Sequence, residues 1–227
     1  FPYSMQATRV EVRRSSDGRT LSSTDTNFAL RGTIGEGPVF PYVQSSTLKR
    51  FDLGDGRLLS TRTTTNQCDD HGNITDTKDI LEDFENNTIR SVETSSTFEL
   101  DIANWHIDRL TSRVRKHSLD GVHEPGLDRR TDYGYDQATG LLLSATEEPG
   151  GGPGMELHRT LEYDDYGNPV SQTLGGPGLA SRTHTITFDP RGQFPIAVTN
   201  PLGHRINRTW DAMFGSLLSE SDANGQK

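Results

Sequence analysis

Aspartate recurs along this chain at positions where a carboxylate could do chemistry. Asp52, Asp69, Asp136, Asp164, Asp189 and Asp211 each follow an aromatic residue or, once, Cys68. A glycine comes three or four residues later: Gly56, Gly72, Gly140, Gly167, Gly192 and Gly215. Clustered acids such as Asp69-Asp70 and Asp164-Asp165 invite a calcium reading. The alternating Asp-x-Asp-x-Asp-Gly loop with a distal Glu is missing, however. A single Asp before a glycine instead suits a turn, where its side chain accepts from a backbone N–H two residues on.

The other reactive side chains are equally unassembled. The seven histidines include no His-x-x-x-His pair, and no Cys-x-x-Cys exists to make a zinc site. Ser, His and Asp are plentiful, but no Gly-x-Ser-x-Gly elbow is present. Cys68 is the sole cysteine, which excludes an internal disulfide framework, and no base is suggested beside it. It reads as a small apolar group. Residues 148–154 and 175–178 are glycine-rich without the Gly-Lys-Ser/Thr of a phosphate loop. Asn73, Asn86 and Asn207 begin Asn-x-Thr triplets, which matter only in a secreted eukaryotic protein. The expectation is a chain with no catalytic residue, cofactor or metal: not an enzyme.

The elements that position the aspartates repeat. Phe51 to Ser60, Tyr135 to Ser144 and Trp210 to Ser219 share one skeleton: aromatic, Asp, three free positions, Gly, one free position, Leu, Leu, Ser. A shorter form starts at Cys68, Tyr163 and Phe188. The aromatic ends a strand, the Asp opens a turn, and the glycine takes the left-handed conformation that closes it. In the short form the glycine falls where a type I turn with a bulge needs it. The repeated object is a β-hairpin, and an all-β chain of consecutive antiparallel hairpins follows.

Along the chain, Thr8 to Arg13 alternates as a strand, and Asp17-Gly18 marks a hairpin turn. Gly32 to Pro41 is loop-like. Ile80 to Asn87 is acidic and fits a loop or a short helical turn. A turn at Asn104 to Asp108 should precede a strand, and Asp120-Gly121 is another turn. Strands are expected at Thr131–Tyr135, Leu157–Tyr163, Thr183–Phe188 and Arg205–Trp210, with a turn at Asn200 to Gly203. The glycine-rich stretches 148–154 and 175–178 read as loop insertions between units. Residues 1–47 are read as an N-terminal β segment or the end of a preceding region, and 48–227 as repeats that are clearest from 130 onward. The opening Phe1-Pro2-Tyr3 and the turn-like end are read as cuts in a longer protein.

Bulk numbers agree. Hydrophobic residues make up 30% and mean hydropathy is -0.69, which suits thin sheets with one wet face. The net charge of -9 makes nucleic acid a poor partner. No apolar run approaches a membrane span.

The repeats resemble the Rhs, or YD-repeat, family. Its hallmark, Tyr-Asp-x-x-Gly-Asn/Arg, appears as Tyr163 to Asn168, with degenerate copies at Phe188 to Gly192 and at Trp210-Asp211. Cys68 to Asn73, followed by Ala103 to Thr111, is similar to the segment that opens the repeat region of bacterial toxin-complex B components and related plasmid-virulence proteins. That segment usually has an apolar residue and a glycine where His106 and Asp108 stand. The resemblance implies a strip of hairpins wound into a curved, solenoid-like sheet, part of a hollow shell around a C-terminal toxin. It implies a secreted or bacterial cell-surface location. Its partners would be the rest of the same polypeptide, toxin-complex subunits or the enclosed toxin. The alternative is a cell-surface carbohydrate-binding module that stacks sugars on Tyr133, Tyr135, Tyr163, Tyr166, Trp105 and Trp210. A hydrolase assembled from distant loops is the weakest reading.

Overall fold

The structure, a computed structural model, describes residues 7–32 and 39–226. It is all-β, built of consecutive antiparallel hairpins. The chain divides into two compact units, residues 1–130 and 131–227.

The first unit contains β1 (Arg9–Arg13), β2 (Thr20–Arg31), β3 (Phe40–Phe51), β4 (Leu58–Cys68), β5 (Ile74–Asp83), β6 (Thr88–Asp101), β7 (His106–Leu119) and β8 (Val122–His123). From β1 to β7 each strand pairs antiparallel with the next, and β8 folds back on β7. In the second, β9 (Arg129–Tyr135) leads through β10 (Leu142–Glu147), β11 (Leu157–Tyr163), β12 (Pro169–Gly176), β13 (Leu179–Phe188), β14 (Pro195–Thr199) and β15 (Arg205–Trp210) to β16 (Leu217–Ser221). These strands also pair strictly with their chain neighbours. Sequential pairing keeps every connection short, so the topology needs no crossover.

Why these residues form strands is plain in β4 and β6, where Thr, Ser and β-branched side chains fill a pleated, half-wet surface. The aromatic or cysteine before each repeated Asp is the last residue of its strand: Phe51, Cys68, Tyr135, Tyr163, Phe188 and Trp210. The pairing register slips beside each of them, so the bulge expected for the short form occurs in the long form too.

Burial is thinner than the composition led one to expect. Among the described residues Ala197 is the single buried hydrophobic side chain, and Ser23 and Arg109 are the buried polar ones. Both faces stay partly wet, rather than one. With no thick core, the ladder hydrogen bonds and the contacts at the turns carry a larger share of the stability than in a packed sandwich.

Several boundaries differ from the expected ones. Ile80–Asp83 completes β5 instead of forming a helical turn, because Asp83 itself caps the turn that follows, accepting from the Glu85 and Asn86 N–H groups at 2.9 and 3.1 Å. Gly175 and Gly176 belong to β12, and only Pro177-Gly178 makes the bend; Gly176 pairs directly with Leu179. Pro41 lies in β3, while positions 33–38 of the expected loop fall outside the described residues. The turn before β7 sits at Ile102–Trp105, two residues early, with Trp105 at φ +59°.

Candidate functional site

The feature that recurs, and that the repeated residues build, is the glycine-closed turn. In the long form the Asp136 N–H donates to Leu141 O at 2.8 Å and Gly140 N–H returns to Asp136 O at 2.9 Å. Asp211 repeats both bonds, to Ser216 O at 2.9 Å and from Gly215 at 2.8 Å; Asp52 donates to Arg57 O at 2.8 Å. In all three, one Asp carboxylate oxygen accepts from the N–H groups two and three residues on. Gly56, Gly140 and Gly215 sit at φ +78°, +75° and +67°. The three decapeptides thus share one conformation.

The short form closes on the residue after its glycine. Asp69 donates to Asn73 O and Asp164 to Asn168 O, each at 3.0 Å. Their carboxylates accept from the N–H groups two and four residues on. Asp189 is longer by one residue: its N–H reaches Phe194 O and its carboxylate accepts from Gln193 and Phe194. Two further copies have the same geometry without the preceding aromatic motif being clear. One is Asn200 to His204, with an amide oxygen in place of the carboxylate. The other is Asp222 to Gln226.

These bonds set the acidity of the turn carboxylates. Asp189 is held below the usual carboxylate range, first by the Phe194 N–H and then by that of Gln193, against the opposing effect of burial. Asp52 is lowered by the Asp55 and Gly54 N–H groups. For Asp69 and Asp164 partial burial is the largest influence and pushes upward; the combined donors, led by Asn73 and Asn168, outweigh it.

The contacts that sequence reading missed run from turn to turn. Successive hairpins place every second turn at the same end of a sheet, and those turns touch. In the second unit the Tyr163 hydroxyl donates to Leu142 O at 2.7 Å. Asn168 Nδ2 donates to Gly192 O at 2.8 Å, and the Tyr166 ring lies over Gly192. Phe194 stacks on Trp210, whose indole N–H donates to Pro195 O at 2.9 Å. In the first unit Arg14 and Arg19 donate to the carbonyls of Leu53 and Gly54, and Arg57 pairs with Glu85 at 2.8 Å. At the other end Arg31 meets Asp70, Phe40 packs on Gly72, and Asn73 Nδ2 donates to Ile107 O at 2.6 Å. The one available signal was the Gly-Asn pair at 72–73 and 167–168, where Asn both closes its own turn and bridges to the next. Arg109, buried against Nδ1 of His106, lies within the Ala103 to Thr111 segment, but nothing in its spacing foretold its burial.

Among the described residues, no group of three or more His, Cys, Asp or Glu side chains is placed to hold a metal ion. No helix among them is long and apolar enough to cross a membrane. Cys68 ends β4 half-buried, and burial pushes its thiol upward in pKa, the opposite of an activated nucleophile.

No family model and no curated protein matches the sequence. Solved structures do match in fold. The chain is similar to the crystal structure of TcdB2-TccC3-TEV, with a TM-score of 0.68 over 96% of this chain at 10% identity. It is also similar to TcdB2-TccC3-Cdc42 and to TcdB2-TccC3 without the hypervariable C-terminal region, with TM-scores of 0.56 and 0.55 at the same coverage and identity. It spans 15–16% of those chains. The likeness is one of fold and agrees with the Rhs/YD-repeat resemblance of the repeated turns.

Proposed function

We propose that this chain is a non-catalytic wall segment of a bacterial Rhs/YD-repeat protein, secreted or displayed at the cell surface, which encloses or presents a C-terminal toxin. The observation that carries the reading is the stitching of same-end turns in sheets that have almost no buried core. Such sheets have margins tied turn to turn and two partly wet faces. A wet wall suits an enclosed polypeptide, since it offers little apolar surface to trap it. The fold likeness to the TcdB2-TccC3 structures supports the same reading. Its partners would be the remainder of its own polypeptide and toxin-complex subunits.

Protease protection tests it. In the polypeptide that joins this chain to the sequence encoded after it, the downstream segment should resist trypsin while the hairpins are intact. It should be cut once Gly167→Val and Gly192→Val loosen them. Equal cutting with and without the substitutions would end the proposal.

A carbohydrate-binding role has one observation in its favour: Trp105 is 73% exposed at a turn tip. Tyr166 is exposed too, but its ring is occupied by Gly192. Saturable binding on a glycan array, abolished by Trp105→Ala, would move the assignment to a binding module.

A further inference from the structure

The two faces of the first unit carry different cations. Cross-strand pairs share a face, and the registers from β3 to β7 run without a slip through the middle of each strand. One face then holds Arg50, Arg62, Arg90, Arg113 and Arg115, and no lysine. The opposite face holds Lys49, Lys78 and Lys116, and no arginine in the same stretch.

The lysine face is compensated. Asp76, Glu82 and Glu93 stand on it, and Lys78 pairs with Glu93 at 2.7 Å. The arginine face has only Asp79 and Asp83, and both are engaged. Asp79 accepts from Arg62 Nε and from the Thr64 hydroxyl at 2.9 and 3.1 Å. Asp83 caps its own turn and also takes the Asn86 side-chain amide at 2.8 Å. Arg50, Arg90, Arg113 and Arg115 have no carboxylate within ion-pair distance among the described residues, and Arg50, Arg90 and Arg115 are exposed. In a chain of net charge -9, cation excess confined to one face is not a consequence of composition.

The same face has a shape. A concavity of about 320 Å³ is lined by Leu48, Leu81 and Val92, by Arg50, Arg62 and Arg90, and by Ser60 and the Asp79 carboxylate that Arg62 holds. Guanidinium forks grip carboxylates through two parallel hydrogen bonds, which an ammonium cannot do. An aliphatic lining between such forks accepts aliphatic side chains. It contains no aromatic on which a nucleobase could stack, which disfavours a single-stranded nucleic acid.

We infer that the arginine face of the first unit, centred on Arg50, Arg90 and Arg115, binds an acidic polypeptide segment in extended form, with carboxylates on those three guanidiniums and aliphatic side chains on Leu48, Leu81 and Val92, while Arg62 stays paired with Asp79. The inference does not rest on the scaffold reading: it concerns what one face holds, whether or not the sheet walls off a toxin.

The test uses the 227-residue chain and a fluorescein-labelled octapeptide of alternating Glu and Val, read by fluorescence anisotropy. Binding should saturate and weaken as salt rises. The triple variant Arg50→Gln, Arg90→Gln, Arg115→Gln should weaken it at least tenfold. Lys49→Gln, Lys78→Gln, Lys116→Gln on the other face should leave it within twofold. Arg50→Lys, Arg90→Lys, Arg115→Lys keeps the charge and should still lose several-fold, because the fork is gone. All these side chains are surface groups, and unchanged circular dichroism and melting curves establish that each variant folds. No saturable binding, equal loss from both glutamine variants, full retention in the lysine variant, or tighter binding of oligo-dT than of the peptide would each overturn the assignment.

Discussion

Phe194 and Trp210 stack with ring centroids 5.5 Å apart and planes 19° from parallel. They belong to consecutive turns at one end of the second unit, and the Trp210 indole N–H also donates to Pro195 O at 2.9 Å. Two hairpins already joined through the β14–β15 ladder are thereby also tied at their tips. The pair should be energetically coupled. In a double-mutant cycle of Phe194→Ala and Trp210→Ala, read by urea unfolding, the coupling should be about 1 kcal/mol. Additive losses would mean that each ring merely covers its own strand.

Two glycines of the same motif should respond unequally. Gly167 and Gly192 both have positive φ, +82° and +67°, so any side chain strains both backbones. A Cβ on Gly167 meets open space, whereas one on Gly192 would lie 2.4 Å from the Tyr166 ring. Gly167→Ala should cost about 1 kcal/mol, and Gly192→Ala clearly more. Adding Tyr166→Ala to Gly192→Ala should recover part of the loss, as measured by melting temperature. Gly140→Val and Gly167→Val should each cost about 1 kcal/mol or more, since a β-branched residue resists the left-handed region.

That contrast shows which parts of the fold a sequence can display. A turn closed by a left-handed residue constrains the identity of that one position, so Gly56, Gly140 and Gly215 stand out in step, and the hairpins with them. Strand content was legible for the same reason, because Thr-rich runs between such glycines have few other conformations to adopt. What joins one turn to the next was not. Asn168 reaches Gly192 O across 24 residues, and its partner is a backbone carbonyl that any residue would supply. The arginine–lysine segregation was hidden as well. Neighbours in sequence such as Lys49 and Arg50 point to opposite faces, and only the cross-strand register collects each kind on one side.

The bridging asparagines should matter beyond their own turns. Asn73 Nδ2 donates to Asp69 Oδ2 at 2.9 Å and to Ile107 O at 2.6 Å, and Asn168 repeats the pattern with Asp164 and Gly192. Loss of the amide leaves a part-buried carbonyl unsatisfied, about 1 kcal/mol per bridge. Asn73→Ala and Asn168→Ala should therefore each lower the melting temperature. Hydrogen exchange should speed up at the neighbouring turn as well as at the mutated one. Faster exchange confined to the mutated turn would show that the bridge transmits nothing.

Acid should unfold the chain through its turn aspartates. Asp17 is held at about 2, chiefly by its hydrogen bond from Arg14. Asp52 and Asp189 are lowered by backbone donors, and Asp69 and Asp164 by their asparagines against the pull of burial. A carboxylate whose folded pKa lies below its unfolded value of about 3.9 contributes its full stabilisation above that pH; between the two values the unfolded state binds the extra proton and the contribution shrinks. The contribution disappears as pH falls through the folded value. Melting temperature should accordingly be level from pH 7 to about 5 and drop steeply below about pH 4. Asp189→Asn keeps an oxygen to accept the Gln193 and Phe194 N–H groups but cannot titrate, as Asn200 shows in the parallel turn. It should give a shallower acid limb than the parent chain, whereas an unchanged limb would place the acid sensitivity outside the turns.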